Sequence, residues 1–380
     1  MLEHVISGRD WVQRLRMKLA LKVSVCNFFA ALRSRRRLKM LDEVFHDVRV
    51  QGDQLIAESN DPLMKHPELD GFAVYASDGH THGSSAHEQP IAGKKRPVTH
   101  IYSLNLRTQM LTPLALSTPQ AYKKKEHELA TVKRIGTEAL RMKEPTGTRV
   151  IHVYDPAIID YPQWYKWKQG SGIYILTLEK ANSALTTIGQ MQWDVDDPRN
   201  TGVLADEYVG PSNGVAFRRV TYVDPVTGKT FRFLTNEMTL PPGLIAFLYK
   251  LRWDVEKVFD QIKNKTIEQK AWAANQTAKQ QQAMFIALTH NLMKILEVII
   301  EKQEGISNQL PDHKRSARLE KESTMAQEAG RTPNPLVINW RRPTQICLQF
   351  IRWLRCVLHD ATSWRPAMNA LRPLMEKYLM

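Results

Sequence analysis

Asp78, His80 and His82 alternate along the stretch SDGHTHG (residues 77–83), with His87 just downstream. An acid-x-His-x-His string at the end of an apolar strand could supply the first ligands of a zinc hydrolase, because carboxylate and neutral imidazole both bind zinc. The same stretch also reads as one acidic residue of another site, Asp78, beside two bystander histidines. A barrel hydrolase needs further histidines at later strand ends. Between His152 and His290 the chain has none. No eightfold strand–helix alternation is visible either, so zinc hydrolysis is the weaker reading.

The stretch YKLRWDVEKVFDQIK (249–263) carries more. With an α-helix turning about 100° per residue and Tyr249 at zero, Arg252 falls at about 300°, Glu256 at about 340° and Lys263 at about 320°. The apolar residues Phe247, Leu248, Leu251, Val255, Val258, Phe259 and Ile262 occupy roughly 160–280°. The spacing predicts one continuous helix with a polar stripe about 21 Å long at the border of its buried face. A cleft would run along that border, and the length suits an extended charged ligand. Arg252 and Glu256 also have the i,i+4 spacing of a plain surface ion pair. Asp254 points away from the stripe at about 140°, while Asp260 lies nearer to it.

The elements around these residues can be read from pattern. Residues 1–60 read as helical and carry the basic run Arg33, Arg35, Arg36, Arg37, Lys39, either a phosphate-contacting face or a solvated one. The apolar run 19–32 is interrupted by Lys22 and Asn27, is too short to span a bilayer and is read as a buried helix. A strand over 71–77 ends at Asp78, and two more strands at 98–106 and 110–116 complete a meander. A helix is expected over 121–143, with Leu129, Val132, Gly136 and Leu140 on one face. Then come a strand at 148–154 ending at Asp155, a short helix, and a strand at 173–179. The region 183–240 reads as β-rich, with a hairpin signal at Asp224-Pro225 and Gly228, and its Trp193 is either core or a surface for stacking an unpaired base. A long helical region begins after Gly243, residues 303–345 read as a polar loop, and 346–358 as one more packing helix. The sum is an α/β chain with a mixed sheet.

Composition narrows the partners. The 380 residues include 53 Lys and Arg against 39 Asp and Glu, a net charge of +14 that favours polyanions, nucleic acid first. Three cysteines, none in a C-x-x-C pair, exclude a disulfide framework and a cysteine-rich zinc site and fit a reducing setting.

Tyr249, Arg252, Glu256 and Lys263 match Y-x2-R-x3-E-x6-K without a gap. This resembles the signature of DDE transposases of bacterial insertion sequences, in the group called IS-four. The segment KAWAANQTAKQQQAMFIALTHNLMKI is similar to the helix pair just after the signature in that group. The resemblance implies a ribonuclease H-like core with a β-rich insertion between the second Asp and the Glu. It implies three metal-holding catalytic acids, for which Asp78, Asp155 and Glu256 stand in the matching places. Asp70 or Asp160 would serve in a shifted register. Arg252 and Lys263 would then contact DNA phosphate, and Tyr249 would pack on the terminal DNA backbone. Implied too are Mg2+, with Mn2+ as substitute, double-stranded DNA with terminal inverted repeats, a target DNA, a homodimer on DNA, and a cytoplasmic, nucleoid-associated setting without membrane. The resulting division is 1–65 helical and DNA-binding, 66–182 first part of the core, 183–240 insertion, 241–300 signature helices, and 301–380 linker and helical tail. A catalytically inactive DNA-binding descendant is the alternative.

Overall fold

The computed structural model describes residues 8–19, 22–91, 93–95, 97–117, 126–211, 214–262, 270–307, 309–338, 353 and 363–379. Three helices open the chain: α1 (Gly8–Leu19), α2 (Val25–Arg33) and α3 (Arg35–Asn60). The apolar run expected as a buried helix becomes helical only from Val25, where the Ser24 hydroxyl accepts the Asn27 amide at 3.0 Å. Of α2 only Leu32 is buried; Lys22 and Asn27 cut the apolar face that full burial requires.

Nine strands form one mixed sheet: β1 (Phe72–His82), β2 (Val98–Asn105), β3 (Leu111–Leu116), β4 (Arg149–Val153), β5 (Ile173–Leu178), β6 (Thr186–Gln190), β7 (Val203–Gly210), β8 (Phe217–Val223) and β9 (Thr230–Thr235). The order is β3-β2-β1-β4-β5-β9-β8-β7-β6. The β1–β4 and β4–β5 pairs are parallel; every other pair is antiparallel. The first six residues of β1 are all buried, as a central strand flanked by parallel and antiparallel neighbours demands. The β-rich stretch 183–240 is no separate sheet: β9 pairs with β5, Leu176 opposite Thr235.

Helices cover both faces. On one lie α6 (Pro242–Leu251), α7 (Trp253–Asp260) and α8 (Gln276–Glu304), packed with Phe45 of α3 over Val74, Ile151 and Leu176. On the other lie α4 (Glu128–Leu140) and α5 (Tyr161–Ser171), whose Val132, Leu140, Trp164 and Trp167 cover Ile101, Ile173, Ile175 and Leu234. Asp160 caps α5, accepting the Gln163 amide at 3.0 Å, and Gly172 ends it in the left-handed region that favours glycine. In α4, Val132 and Leu140 are buried as expected, but Gly136 has φ of 80° and breaks the helix between them. The described part of the expected 121–143 helix begins only at Glu128.

Two further expectations change. Within the stretch read as loop, α9 (Leu310–Glu328) and α10 (Pro335–Ile338) are helical. Its Gly and Pro lie mostly at the margins, at Gly305, Pro311, Gly330, Pro333 and Pro335, so they punctuate helices without breaking them. Of the helix expected at 346–358 only Trp353 is among the described residues, and α11 (Trp364–Leu379) comes after it. Among the described residues one helix, α8, is long and apolar enough to cross a membrane, yet half of that stretch is buried inside the protein. Its neighbours are α3 and β3, as for a core helix.

Candidate active site

Asp78 does not end a strand. β1 runs on to His82, with Asp78 opposite Tyr102 and His82 opposite Val98. What ends near Asp78 is the parallel partner: the last β1–β4 pair is Ala76 with Val153. Asp78 lies two residues beyond Ala76, and Asp155 two beyond Val153. The two acids therefore stand at the same level on neighbouring parallel strands, where the β1–β4 pairing ends at the carboxyl end of β4, the kind of edge where open α/β sheets place ligands. Asp155 also forms a turn, its Oδ1 accepting the Ala157 amide at 2.9 Å.

The signature segment is two helices rather than one. α6 ends at Leu251 and α7 starts at Trp253. At the joint, the Arg252 amide donates to the Tyr249 carbonyl at 3.1 Å and the Val255 amide to the Arg252 carbonyl at 3.2 Å, both tighter than the α pattern. The straight stripe is thereby cut. Tyr249 and Arg252 are buried, at 8% and 7% exposure, so they line an interior edge instead of a surface groove. Lys263 lies outside the described residues. The apolar side holds: Phe247, Leu248, Leu251, Val255, Val258 and Ile262 are buried, and Phe259 packs against that core.

Arg252 joins the acids. Its Nη1 lies 3.3 Å from Asp78 Oδ2 and its Nη2 3.0 Å from Glu256 Oε1. The i,i+4 ion pair read from sequence is present, and its guanidinium reaches Asp78 as well. Burial pushes the Asp78 carboxyl up to about 6, against the Gly79 amide and Arg252, which pull it down, while Glu128 and Asp155 push it further up. Tyr249 is also raised by burial, with Arg252 acting against it, so its hydroxyl stays protonated at neutral pH. Its ring stacks obliquely on Phe233 at 5.1 Å.

The alternative acids are occupied elsewhere. Asp160 caps α5 and pairs with Lys133 at 2.7 Å, and Asp70 is exposed beside a short turn. Asp254 is buried and accepts from Gln109 at 3.5 Å, away from Asp78. Asp260 is exposed at the end of α7, and Trp193 is half-buried in the connection after β6.

His80 and His82 are strand residues, not loop residues, and both are buried. Their rings meet edge to face at 4.6 Å, His82 meets His100 at 5.2 Å, and His80 lies 5.0 Å from the Phe259 ring. His87 is exposed. Among the described residues no three His, Cys, Asp or Glu side chains stand together as a metal cage. The histidines thus pack as a ring cluster between β1, β2 and α7.

The oxygen-only donor set of Asp78, Asp155 and Glu256 suits a hard divalent cation. Arg252 places a positive charge between two of the three, Asp78 and Glu256. Sequence reasoning missed Glu128, whose carboxylate lies against Gly79, next to Asp78. Its only signal was an acid in the first turn of a helix.

A family model described as the transposase DDE domain matches residues 73–292, more than half of the chain. The chain belongs to that family. It is therefore a transposase, an enzyme of the polynucleotidyl-transferase type that acts on DNA in transposition and recombination, and such transposases generally use a divalent metal. Comparison with curated proteins returns no match.

Proposed function

We propose that this is a cut-and-paste transposase of the IS-four group. It binds the inverted repeats at the ends of its own insertion sequence, then cleaves and transfers the strands. The observation that carries the reading is the common level of Asp78 and Asp155 on adjacent parallel strands, with Glu256 brought to Asp78 through Arg252. The order β3-β2-β1-β4-β5, with only β1, β4 and β5 parallel, supports a ribonuclease H-like core extended by β6–β9.

Asp78, Asp155 and Glu256 hold the metal in this reading. A divalent cation there, Mg2+ or in its place Mn2+, supplies positive charge at the scissile phosphate and acidifies the attacking water or hydroxyl. Arg252 serves two states. Without DNA it neutralises Asp78 and Glu256; with DNA its planar fork turns to phosphate oxygens, for which bidentate geometry suits it. Lys263 adds a point charge on the same strand, and Tyr249 packs against the terminal backbone. The exposed run Arg33, Arg35, Arg36, Arg37 and Lys39 at the α2–α3 junction supplies further phosphate contacts.

The test is direct. Purified protein with Mg2+ or Mn2+ should nick DNA carrying the ends of its own element. Glu256→Gln should bind those ends as tightly and lose cleavage by at least about a thousandfold, the scale of removing a principal electrostatic element of a site. Normal cleavage by that variant would refute the assignment. Binding without cleavage by the unaltered protein would favour the inactive descendant.

A further inference from the structure

Ser77 comes directly before Asp78 on β1, and the two side chains point to opposite faces of the sheet. Ala76, Tyr102 and Val153 pack under α6–α8, the face that Asp78 shares. One residue along each strand, Ser77 of β1, Ser103 of β2 and His152 of β4 share the other face, towards α4. All three are 0% exposed. Polar side chains in a sealed layer cost free energy unless they are bonded. These bond to one another in a row. Ser103 Oγ lies 2.6 Å from Ser77 Oγ, Ser77 Oγ lies 3.0 Å from His152 Nδ1, and His152 Nε2 lies 2.8 Å from the Leu140 carbonyl of α4. The row has one direction. A carbonyl only accepts, so Nε2 carries the proton and Nδ1 of the neutral ring accepts. Ser77 then donates to His152, which leaves Ser103 to donate to Ser77. The Tyr75 and Tyr154 rings stack on the imidazole at 5.8 and 5.6 Å and hold its plane.

We propose that Ser77 and His152 are positioning residues of the active site, whose hydrogen bond holds Asp78 level with Asp155 through the backbone of β1 and β4. This rests on the three-acid reading above. Two observations carry it. One is the place of the row. The last ladder pair between β1 and β4 is Ala76 with Val153, so Asp78 lies beyond the backbone pairing on that flank. The Ser77–His152 bond joins the same two strands from the first residue past that pair. The other is its chemistry. Apolar side chains would fill this layer without preferring one alignment of the strands. A buried network in which each member is satisfied fixes a single arrangement, and Ser103 and Leu140 tie this one to β2 and α4 as well.

The experiment is single-turnover cleavage by the full-length protein, with Mg2+, of DNA carrying the ends of its own element. Equilibrium binding of the same DNA and thermal unfolding are measured beside it. Ser77→Ala should slow cleavage about ten- to a hundredfold, the scale of a small misplacement of a reacting group, while DNA affinity stays unchanged. Ser77→Thr keeps the donor and should recover most of the rate. His152→Leu breaks the same row, and the double variant Ser77→Ala/His152→Leu should be no slower than the slower single one, because both remove one bond. Ile173→Val, a core change on the same face of β5, loses burial without touching the row and should cleave at the unaltered rate. Normal cleavage by folded Ser77→Ala overturns the inference. So does a loss that Ser77→Thr shares, or one that Ile173→Val reproduces. Glu256→Gln separates the two readings. If it cleaves normally, the three-acid site fails; if it is inactive while Ser77→Ala cleaves normally, only the positioning role fails. Should Ser77→Ala not fold, Ser103→Ala decides, since it takes away the donor that orients Ser77: cleavage slowed severalfold supports the role, and an unaltered rate overturns it.

Discussion

Arg252 is the residue on which the charge balance of the site turns. It lies between the Asp78 and Glu256 carboxylates, with the Tyr249 and Trp253 rings 5.8 Å and 5.6 Å from its guanidinium carbon. A cation within reach favours the ionised carboxylate, by roughly one to three pKa units in general. Burial nonetheless holds Asp78 at about 6, so Arg252 only partly offsets desolvation. Removing the cation must therefore raise Asp78 further. Arg252→Gln should move the Asp78 titration upward from about 6 by on the order of one unit, measured from carboxyl carbon shifts in the metal-free protein. Arg252→Lys keeps the charge but loses the fork, and should move it less. A midpoint that stays put or falls in Arg252→Gln would mean that the guanidinium does not act on Asp78.

At the scale of elements, α6 is seated by its first turn. The Gly243 amide donates to Asn200 Oδ1 at 2.8 Å, and a Cβ at 243 would strike the Arg199 carbonyl and stand 2.9 Å from Asn200 Cα. Those are backbone atoms, which yield far less than a side-chain tip. Gly243→Ala should cost about 1–3 kcal/mol by overpacking, seen in denaturant unfolding as a lower midpoint at unchanged slope. It should also slow cleavage, because α6 carries Tyr249 in its last turn and leads directly into Arg252. Stability equal to the unaltered protein would show that the 197–202 segment gives way easily.

What sequence could and could not reveal is also clearest among elements. The strands 98–105, 111–116, 149–153 and 173–178 were legible because their apolar, β-branched content is local. The true length of β1 was not. Gly79 to His82 reads as a polar loop, and only pairing with β2, decided some twenty residues away, makes it strand. The helical wheel of 249–263 placed the apolar face correctly but assumed a straight helix, and tightening at Arg252 is a tertiary effect no wheel contains. Asp78, Asp155 and Glu256 could be nominated by motif and element position, but that Glu128 lies against Gly79, on a different element, could not.

Over the whole molecule, buried ionisable groups set the response to acid. His100, His152 and His290 lie sealed in the core, and burial lowers them to about 3, 4 and 3. His152 Nε2 donates to the Leu140 carbonyl at 2.8 Å, so its Nδ1 accepts from Ser77 at 3.0 Å, which is the neutral ring. Their folded pKa values lie below the unfolded 6.5. The unfolded chain therefore takes up protons that the fold refuses, and each histidine removes up to ~1.4 kcal/mol of stability per pH unit as pH falls below 6.5. Asp53 and Asp78 work the other way. Burial raises both to about 6 from 3.8, so the fold keeps protons that the unfolded chain has lost. Their contribution is present at low pH and disappears as pH rises through about 3.8 to 6. Asp53, on α3, is bonded to Thr108 and lies 3.4 Å from Arg49, partners separate from those of Asp78. It can be altered alone. Asp53→Asn removes one opposing proton, so its stability should fall more steeply on acidification than the unaltered protein's, by ~1.4 kcal/mol per pH unit between about 4 and 6. Urea unfolding at half-unit pH steps measures both slopes. Parallel lines would mean that Asp53 titrates alike in the folded and unfolded chains.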